Sequence, residues 1–330
     1  MALFEFVAVD EDQPGPKWQA RFGRCAAPYL GWVAREAPER RPSLAECGEA
    51  MERHMPELAP VYDRLCDLVG PDATARRLLS LWRPPPLFGG CSVVLAPGGE
   101  PALLRNYDFT PAFFEGTVLK SRWVGRHGAV IAMSEGLSGV IDGMNEAGLA
   151  VALTFGGRPA LGEGFSLPII LRHVLETCGD VPAAVETLRR IPCAMVQNVA
   201  LLDRSGRHSV AWLSPDRPTE FVAAGFTTNH QRTVEWLESA RASRTVERAA
   251  RLAELRQQPG MTAEALRQAL LRPPFFRTDY DQALGTLYTA VYRPAAGTVE
   301  YYWPDEVPWQ FSFAAFQEGS RVVDLGQGAP

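Results

Sequence analysis

The sequence predicts an α+β fold in which two antiparallel sheets carry helices on their outer faces, preceded by a helical segment of about 90 residues. Three observations predict it. Apolar residues recur at three- and four-residue spacing from Ala26 to Trp82, Pro84-Pro85-Pro86 then forbids any continuation of a helix, and from Cys91 onward the chain reads as short β-rich runs separated by turn residues.

Taken in order, residues 3–9 alternate as a strand and residues 10–17 are turn-rich. The helical block follows through Tyr29, Trp32 and Val33, then Met51, Met55, Leu58 and Val61, then Leu78, Leu79 and Leu81; Ser43 with Glu46 three residues on forms a capping box for its middle helix. Past triproline, strands at 92–96 and 102–108 make a hairpin around Pro97-Gly98-Gly99. Further strands read at 117–124, 129–133, 138–142 and 149–155, with Asn145-Glu146-Ala147-Gly148 as a tight turn. Helices at 167–178 and 181–190 have apolar stripes. Strands return at 195–203, 208–213 and 219–228, a long charged helix covers 232–257, a shorter one 262–271, and a last hairpin spans 286–304 around Pro294-Ala295-Ala296-Gly297.

Composition narrows the function. The chain has 330 residues, a hydrophobic share of 46% and a formal net charge of -5, with charges interspersed and no basic patch interleaved with aromatics, which argues against nucleic acid as a partner. No apolar run reaches the length of a membrane span, and the N-terminus meets acids before any basic residue, so the expectation is a soluble, cytoplasmic chain without a secretion signal. Six scattered cysteines and five histidines form neither a Cys-x-x-Cys pair nor a His-Glu-x-x-His motif, so no metal or cofactor is expected and the thiols are read as reduced.

The chemistry centres on Gly89-Gly90-Cys91. From triproline alone the junction is an interdomain linker, and Cys91 a buried structural thiol. Cut between Gly90 and Cys91, the same junction yields a residue with both a thiol nucleophile and an α-amine whose ordinary pKa of ~7.7–8.0 suits a base. The returning arm of the hairpin carries Arg105 and Asp108 back beside Cys91, where a guanidinium favours thiolate and a carboxylate holds the amine; alone, the two residues read as a surface ion pair. Tyr107, Phe113, Phe114 and Trp123 are candidates to line a pocket beside this thiol, with core filling as the commoner role of strand aromatics.

Gly90-Cys91-Ser92, Arg105-Asn106-Tyr107-Asp108, Asp142-Gly143-Met144-Asn145-Glu146-Ala147-Gly148-Leu149, Thr227-Thr228-Asn229-His230 and Thr286-Leu287-Tyr288-Thr289 resemble, in order, the blocks of the N-terminal-nucleophile amidohydrolases. The resemblance is greatest to the isopenicillin N acyltransferase branch, and extends to choloylglycine hydrolase, penicillin V acylase and acid ceramidase. It implies a four-layer αββα sandwich, self-cleavage at Gly90–Cys91 into a small subunit (1–90) and a large catalytic one (91–330), and Cys91 as nucleophile flanked by Arg105 and Asp108. It further implies Asn229 and the backbone N–H of Thr154 as oxyanion donors, and a small-molecule amide, an acyl-CoA or another thioester as acyl donor, with water or an amine as acceptor. Two positions depart from the pattern: Thr154 stands where bile-salt hydrolases have Asn, and Gly285 where an Arg is expected, leaving Arg277 or Arg293 to complete the site or the network incomplete. Hydrolysis and acyl transfer, substrate identity and assembly with a second copy stay open. The reading from another class is a non-catalytic, uncut protein whose first 90 residues form a helical partner-binding lobe.

Overall fold

The computed structural model describes residues 3–282 and 284–325; residues 326–330 of the expected large subunit lie outside the described residues. Strand β1 (Leu3–Asp10) is followed by helices α1 (Pro16–Ala34), α2 (Leu44–His54), α3 (Ala59–Val69) and α4 (Ala73–Ser80). The capping box is present: Ser43 Oγ accepts from Glu46 N at 3.1 Å while the Glu46 carboxylate accepts from Ser43 N at 2.7 Å. Leu81 and Arg83 both adopt positive φ, which ends α4 ahead of the triproline.

The strands that follow are β2 (Gly90–Leu95), β3 (Leu103–Phe109), β4 (Thr117–Ser121), β5 (Val130–Glu135), β6 (Gly139–Asn145) and β7 (Leu149–Phe155). Helices α5 (Leu167–Thr177) and α6 (Val181–Arg190) come next, then β8 (Gln197–Asp203), β9 (His208–Leu213), β10 (Glu220–Val222) and β11 (Phe226–Thr227). Helices α7 (Leu237–Ala242), α8 (Thr245–Gln257) and α9 (Ala263–Leu270) precede β12 (Gly285–Arg293), β13 (Thr298–Tyr302), β14 (Trp309–Ser312) and β15 (Gly319–Asp324). They form a nine-stranded sheet, ordered β10-β9-β8-β7-β6-β5-β4-β1-β15, and a six-stranded sheet, ordered β11-β2-β3-β12-β13-β14. The sheets face each other where β2 and β3 lie over β7; α5 and α6 cover the large sheet, α8 and α9 the small one. This is the αββα sandwich. Strands such as β7 are buried along their whole length because both faces are covered, which explains their continuous apolar run.

Three differences from the sequence reading position the site. β1 runs parallel to β4 and antiparallel to β15, so residues 3–10 belong to the large sheet, and Phe6, fully buried, packs on Phe114, Tyr288 and Trp303. Strands β14 and β15 escape local reading because β15 gains its partner from the opposite end of the chain. The helix expected over 232–257 is two helices: Arg244 takes a left-handed conformation at φ +52°, and the break swings α8 inward so that Thr245 and Arg248 are buried. Among the described residues no helix is long and apolar enough to cross a membrane.

Candidate active site

Cys91 is the second residue of β2 and pairs across the hairpin with Tyr107, while Gly90 pairs with Asp108. The register follows from the hairpin and brings the charges to the thiol: Arg105 Nη2 lies 3.1 Å from Cys91 Sγ. Arg105 is held there by its other nitrogen, which donates to Asp142 Oδ2 at 2.7 Å and to the Ile141 carbonyl at 2.9 Å; Tyr288 and Tyr292 donate to the Asp142 carboxylate in turn. All these groups are buried. Burial nonetheless pushes the Cys91 thiol above its ordinary value; Arg105 opposes this without reversing it, and Asp108 adds to the rise. The thiolate that the sequence associates with Arg105 is therefore not the resting form in the uncut chain.

Asp108 accepts from Thr286 Oγ1 at 2.7 Å through Oδ1, while Oδ2 has no hydrogen-bond partner and lies 3.7 Å from Arg248. Burial raises the Asp108 carboxyl against the opposing pull of Arg248. Asn229 enters from the loop after β11. Its Oδ1 accepts from Cys91 N at 2.9 Å and from Arg248, and its Nδ2 donates to the Phe155 carbonyl at 3.3 Å; two donors and one acceptor fix the orientation of the amide. In the uncut chain it is thus the oxygen of Asn229 that meets Cys91. Thr154 does not reach Cys91 with its side chain: Oγ1 donates to the Thr228 carbonyl at 2.7 Å and accepts from Asn198, tying β7 to the loop that carries Asn229. Gly157 (φ +80°) has no room for a Cβ, which would come within 2.4 Å of the Asn229 carbonyl oxygen.

Arg248 is the residue that sequence reasoning missed. Fully buried on α8, it donates to the Cys91 carbonyl, to Ser92 Oγ at 2.7 Å and to Asn229 Oδ1. Its guanidinium lies 3.7 Å from Asp108, which pairs across the sheet with Thr286. Gly285 cannot carry a side chain because the Tyr280 ring fills that space. Neither named substitute takes its place: Arg277 bonds Asp279 and the Ala242 carbonyl, and Arg293 bonds Glu300. A signal existed in the sequence only as one arginine among several on a charged helix.

Beside Cys91 opens a cavity of about 680 Å³, its mouth included. Residues 1–90 contribute Tyr29, Trp32, Leu81, Pro85 and Leu87; the rest of the chain contributes Phe109, Ile141, Leu153, Phe155 and Met195 among others. Of the expected pocket residues only Tyr107 lines it. Phe114 is core, stacked on Phe4 and Tyr288, Phe113 offers its carbonyl to Tyr29, and Trp123 lies under the Arg172 guanidinium at 4.2 Å.

Two facing, mainly antiparallel sheets between helical layers, with a thiol at the start of a strand of the smaller sheet, define the N-terminal-nucleophile hydrolase fold. The chain belongs to the acyl-coenzyme A:6-aminopenicillanic acid acyl-transferase family, whose model matches residues 94–307. The matched stretch contains Arg105, Asp108, Asn229 and Arg248 and begins just after Cys91. Solved structures similar to it include penicillin V acylase from Agrobacterium tumefaciens (16% identity over 68% of this chain and 86% of that one, TM-score 0.46). A mutant of the conjugated bile acid hydrolase from Clostridium perfringens is similar at 13% identity over 71% and 96% (TM-score 0.44). A Caenorhabditis elegans ortholog of N-acylethanolamine-hydrolyzing acid amidase is similar at 15% identity over 71% and 100% (TM-score 0.47). Among curated protein sequences none matches. The family is one of acyltransferases, and the chain is an enzyme related to them.

Proposed function

We propose that the chain cuts itself between Gly90 and Cys91 and then acts on linear amides as a cysteine amidohydrolase or acyltransferase. One juxtaposition carries this reading: Cys91, beside an apolar cavity, has Arg105 on its sulfur at 3.1 Å and Asn229 on its N–H at 2.9 Å. In the cut, Cys91 Sγ attacks the Gly90 carbonyl carbon, the bond to Cys91 N breaks, and the thiol proton passes to that nitrogen. Water then releases Gly90 as a carboxylic acid and restores the thiol.

The freed α-amine, ordinarily of pKa ~7.7–8.0, supplies the base that a thiol raised by burial requires. It takes the thiol proton as sulfur attacks the substrate amide and returns it to the leaving amine; water or an acceptor amine resolves the thioester. Asn229 Nδ2 and the Thr154 backbone N–H are the oxyanion donors in this reading, each worth about 2.7–4 kcal/mol in such a role. Arg248 holds Asn229 and the Cys91 carbonyl, and Asp108 receives the new ammonium. Acyl donors are small-molecule amides, acyl-CoA or other thioesters. Residues 1–90 stay bound after the cut, because β1 lies inside the large sheet and α1 lines the cavity.

Denaturing mass analysis tests the reading. The expected result is two chains of 90 and 240 residues, the second beginning Cys-Ser-Val-Val, and one intact chain without turnover for Cys91→Ala. An intact chain from an active preparation, or turnover retained by Cys91→Ala, would overturn it.

A further inference from the structure

The cavity holds a second polar feature that acyl transfer at Cys91 does not use. Glu135, the last residue of β5, stands in its wall with 5% of its surface exposed. Tyr29 of α1 bonds Oε1, and the hydroxyl of Tyr107, the cross-strand neighbour of Cys91, lies 3.5 Å from Oε2. The Tyr29 hydroxyl also meets the Phe113 carbonyl oxygen.

One Tyr29 proton faces two acceptors, the Phe113 carbonyl and the Glu135 carboxyl. A hydroxyl has one proton, and a carbonyl oxygen only accepts. With that proton on Phe113, the contact between Tyr29 and Glu135 takes its hydrogen from the carboxyl. In that arrangement Glu135 is a neutral acid whose Oε1–H donates to the phenol oxygen. Its surroundings agree: burial raises it most, Glu115 raises it further, and the contacts with Tyr29 and Tyr107 and the charge of Arg105 do not offset them.

With Oε1 occupied, Oε2 is the acceptor that Glu135, a lining residue of the cavity, can offer a ligand. The Tyr107 O–H beside it sits at the outer limit of a hydrogen bond, so its donor is free to turn to a ligand. No lysine, arginine or histidine occurs among the described residues lining the cavity. We infer that Glu135, together with Tyr107, determines specificity here by selecting substrates whose buried portion is uncharged and carries one group that both donates and accepts, such as a phenol, alcohol or primary amide. The inference rests on the reading of this cavity as the substrate site of Cys91. A carboxylate or phosphate placed there would lose its hydration and meet an acceptor oxygen with no cation lining the space. The anionic part of an acyl donor therefore stays outside the mouth. An ammonium would instead strip the proton from Glu135, and this is the competing outcome.

The test uses full-length Cys91→Ala protein and three probes that differ at one position: phenylacetamide bearing a para hydroxyl, a para carboxylate or a para aminomethyl group. Calorimetric titration is expected to show the hydroxyl probe binding at least about tenfold tighter than either charged probe. Adding Glu135→Gln, which keeps a neutral acceptor, weakens it by no more than about threefold, and Glu135→Leu by at least about tenfold. Preference for the aminomethyl probe that disappears in Glu135→Gln, equal binding of the carboxylate, unchanged binding in Glu135→Leu, or binding of none of the three would each overturn the assignment. A ligand-free readout stands beside these. The infrared difference spectrum between parent and Glu135→Gln near neutral pH should contain the carbonyl band of a protonated acid, and a carboxylate band in its place would overturn it. None of these measurements uses the Cys91 thiol, so failure of self-cleavage and failure of this assignment register in separate experiments.

Discussion

Cys91 stands between two walls that are equally dry, one built of ion pairs and the other without them. On one side Arg105 faces Asp142 at 2.7 Å and Arg248 faces Asp108 at 3.7 Å, so each buried cation has an anionic counterpart and further hydrogen bonds. On the other, Glu135 has two phenols for partners and a second carboxylate, Glu115, as an electrostatic neighbour. Dry surroundings penalise any lone charge, and only a paired one survives them. The difference teaches that burial does not decide whether a site is ionic. What sits opposite each group does: ion-pair partners on one side of Cys91, phenols on the other.

The strongest way to break this contrast is Arg105→Met. It removes the cation from both Cys91 and Asp142 and leaves the Asp142 carboxylate with its tyrosines alone, a loss of about 3–5 kcal/mol in denaturant unfolding together with loss of self-cleavage. Unchanged stability would mean that Asp142 is not an ion in the folded chain. Arg248→Lys is gentler, since the charge stays while the planar fork that reaches Cys91, Ser92 and Asn229 at once is lost. Unfolding should record about 1.5–3 kcal/mol, and a time course of intact mass should show slower cutting.

The neutral wall is sharpened by pH. A carboxyl raised in the folded state binds its proton more tightly there than in the unfolded chain, so its contribution is complete below the unfolded value and is lost as pH rises toward the folded one. Relative to Glu135→Gln, the parent should lose up to about 1.4 kcal/mol per pH unit above the ordinary glutamate value of about 4.3. Parallel stability curves would mean that Glu135 ionises normally. The smallest effect is expected away from both walls: Thr262 accepts from Ala265 N at 3.1 Å as the cap of α9. Thr262→Ala should cost about 1 kcal/mol with no change in the rate of cutting.

How much of the site can be read in advance depends on the distance over which each relation is set. Arg105 and Asp108 stand beside Cys91 because one short hairpin fixes the register, and a hairpin is visible in alternation and turn residues. Arg248 is far along the chain, on a helix that reads as solvent-facing because Arg244, Arg251 and their glutamates alternate around it; the turn at Arg244 alone rotates it beneath Cys91. Phe113, Phe114 and Trp123 lie close in sequence to the reactive hairpin, yet their rings pack elsewhere, since proximity along a strand does not say which face meets the cavity.

By itself the sequence determined the layered α+β plan, the break at triproline, and the pairing of Cys91 with the Arg105–Asp108 arm, all consequences of local periodicity and turn chemistry. Only the tertiary structure decided that β1 completes the large sheet, that Arg248 rather than Arg277 or Arg293 meets Asp108, and that Glu135 is buried between Tyr29 and Tyr107. These depend on which groups, remote in the chain, lose water together, and a charge out of water takes its state from its neighbours in space.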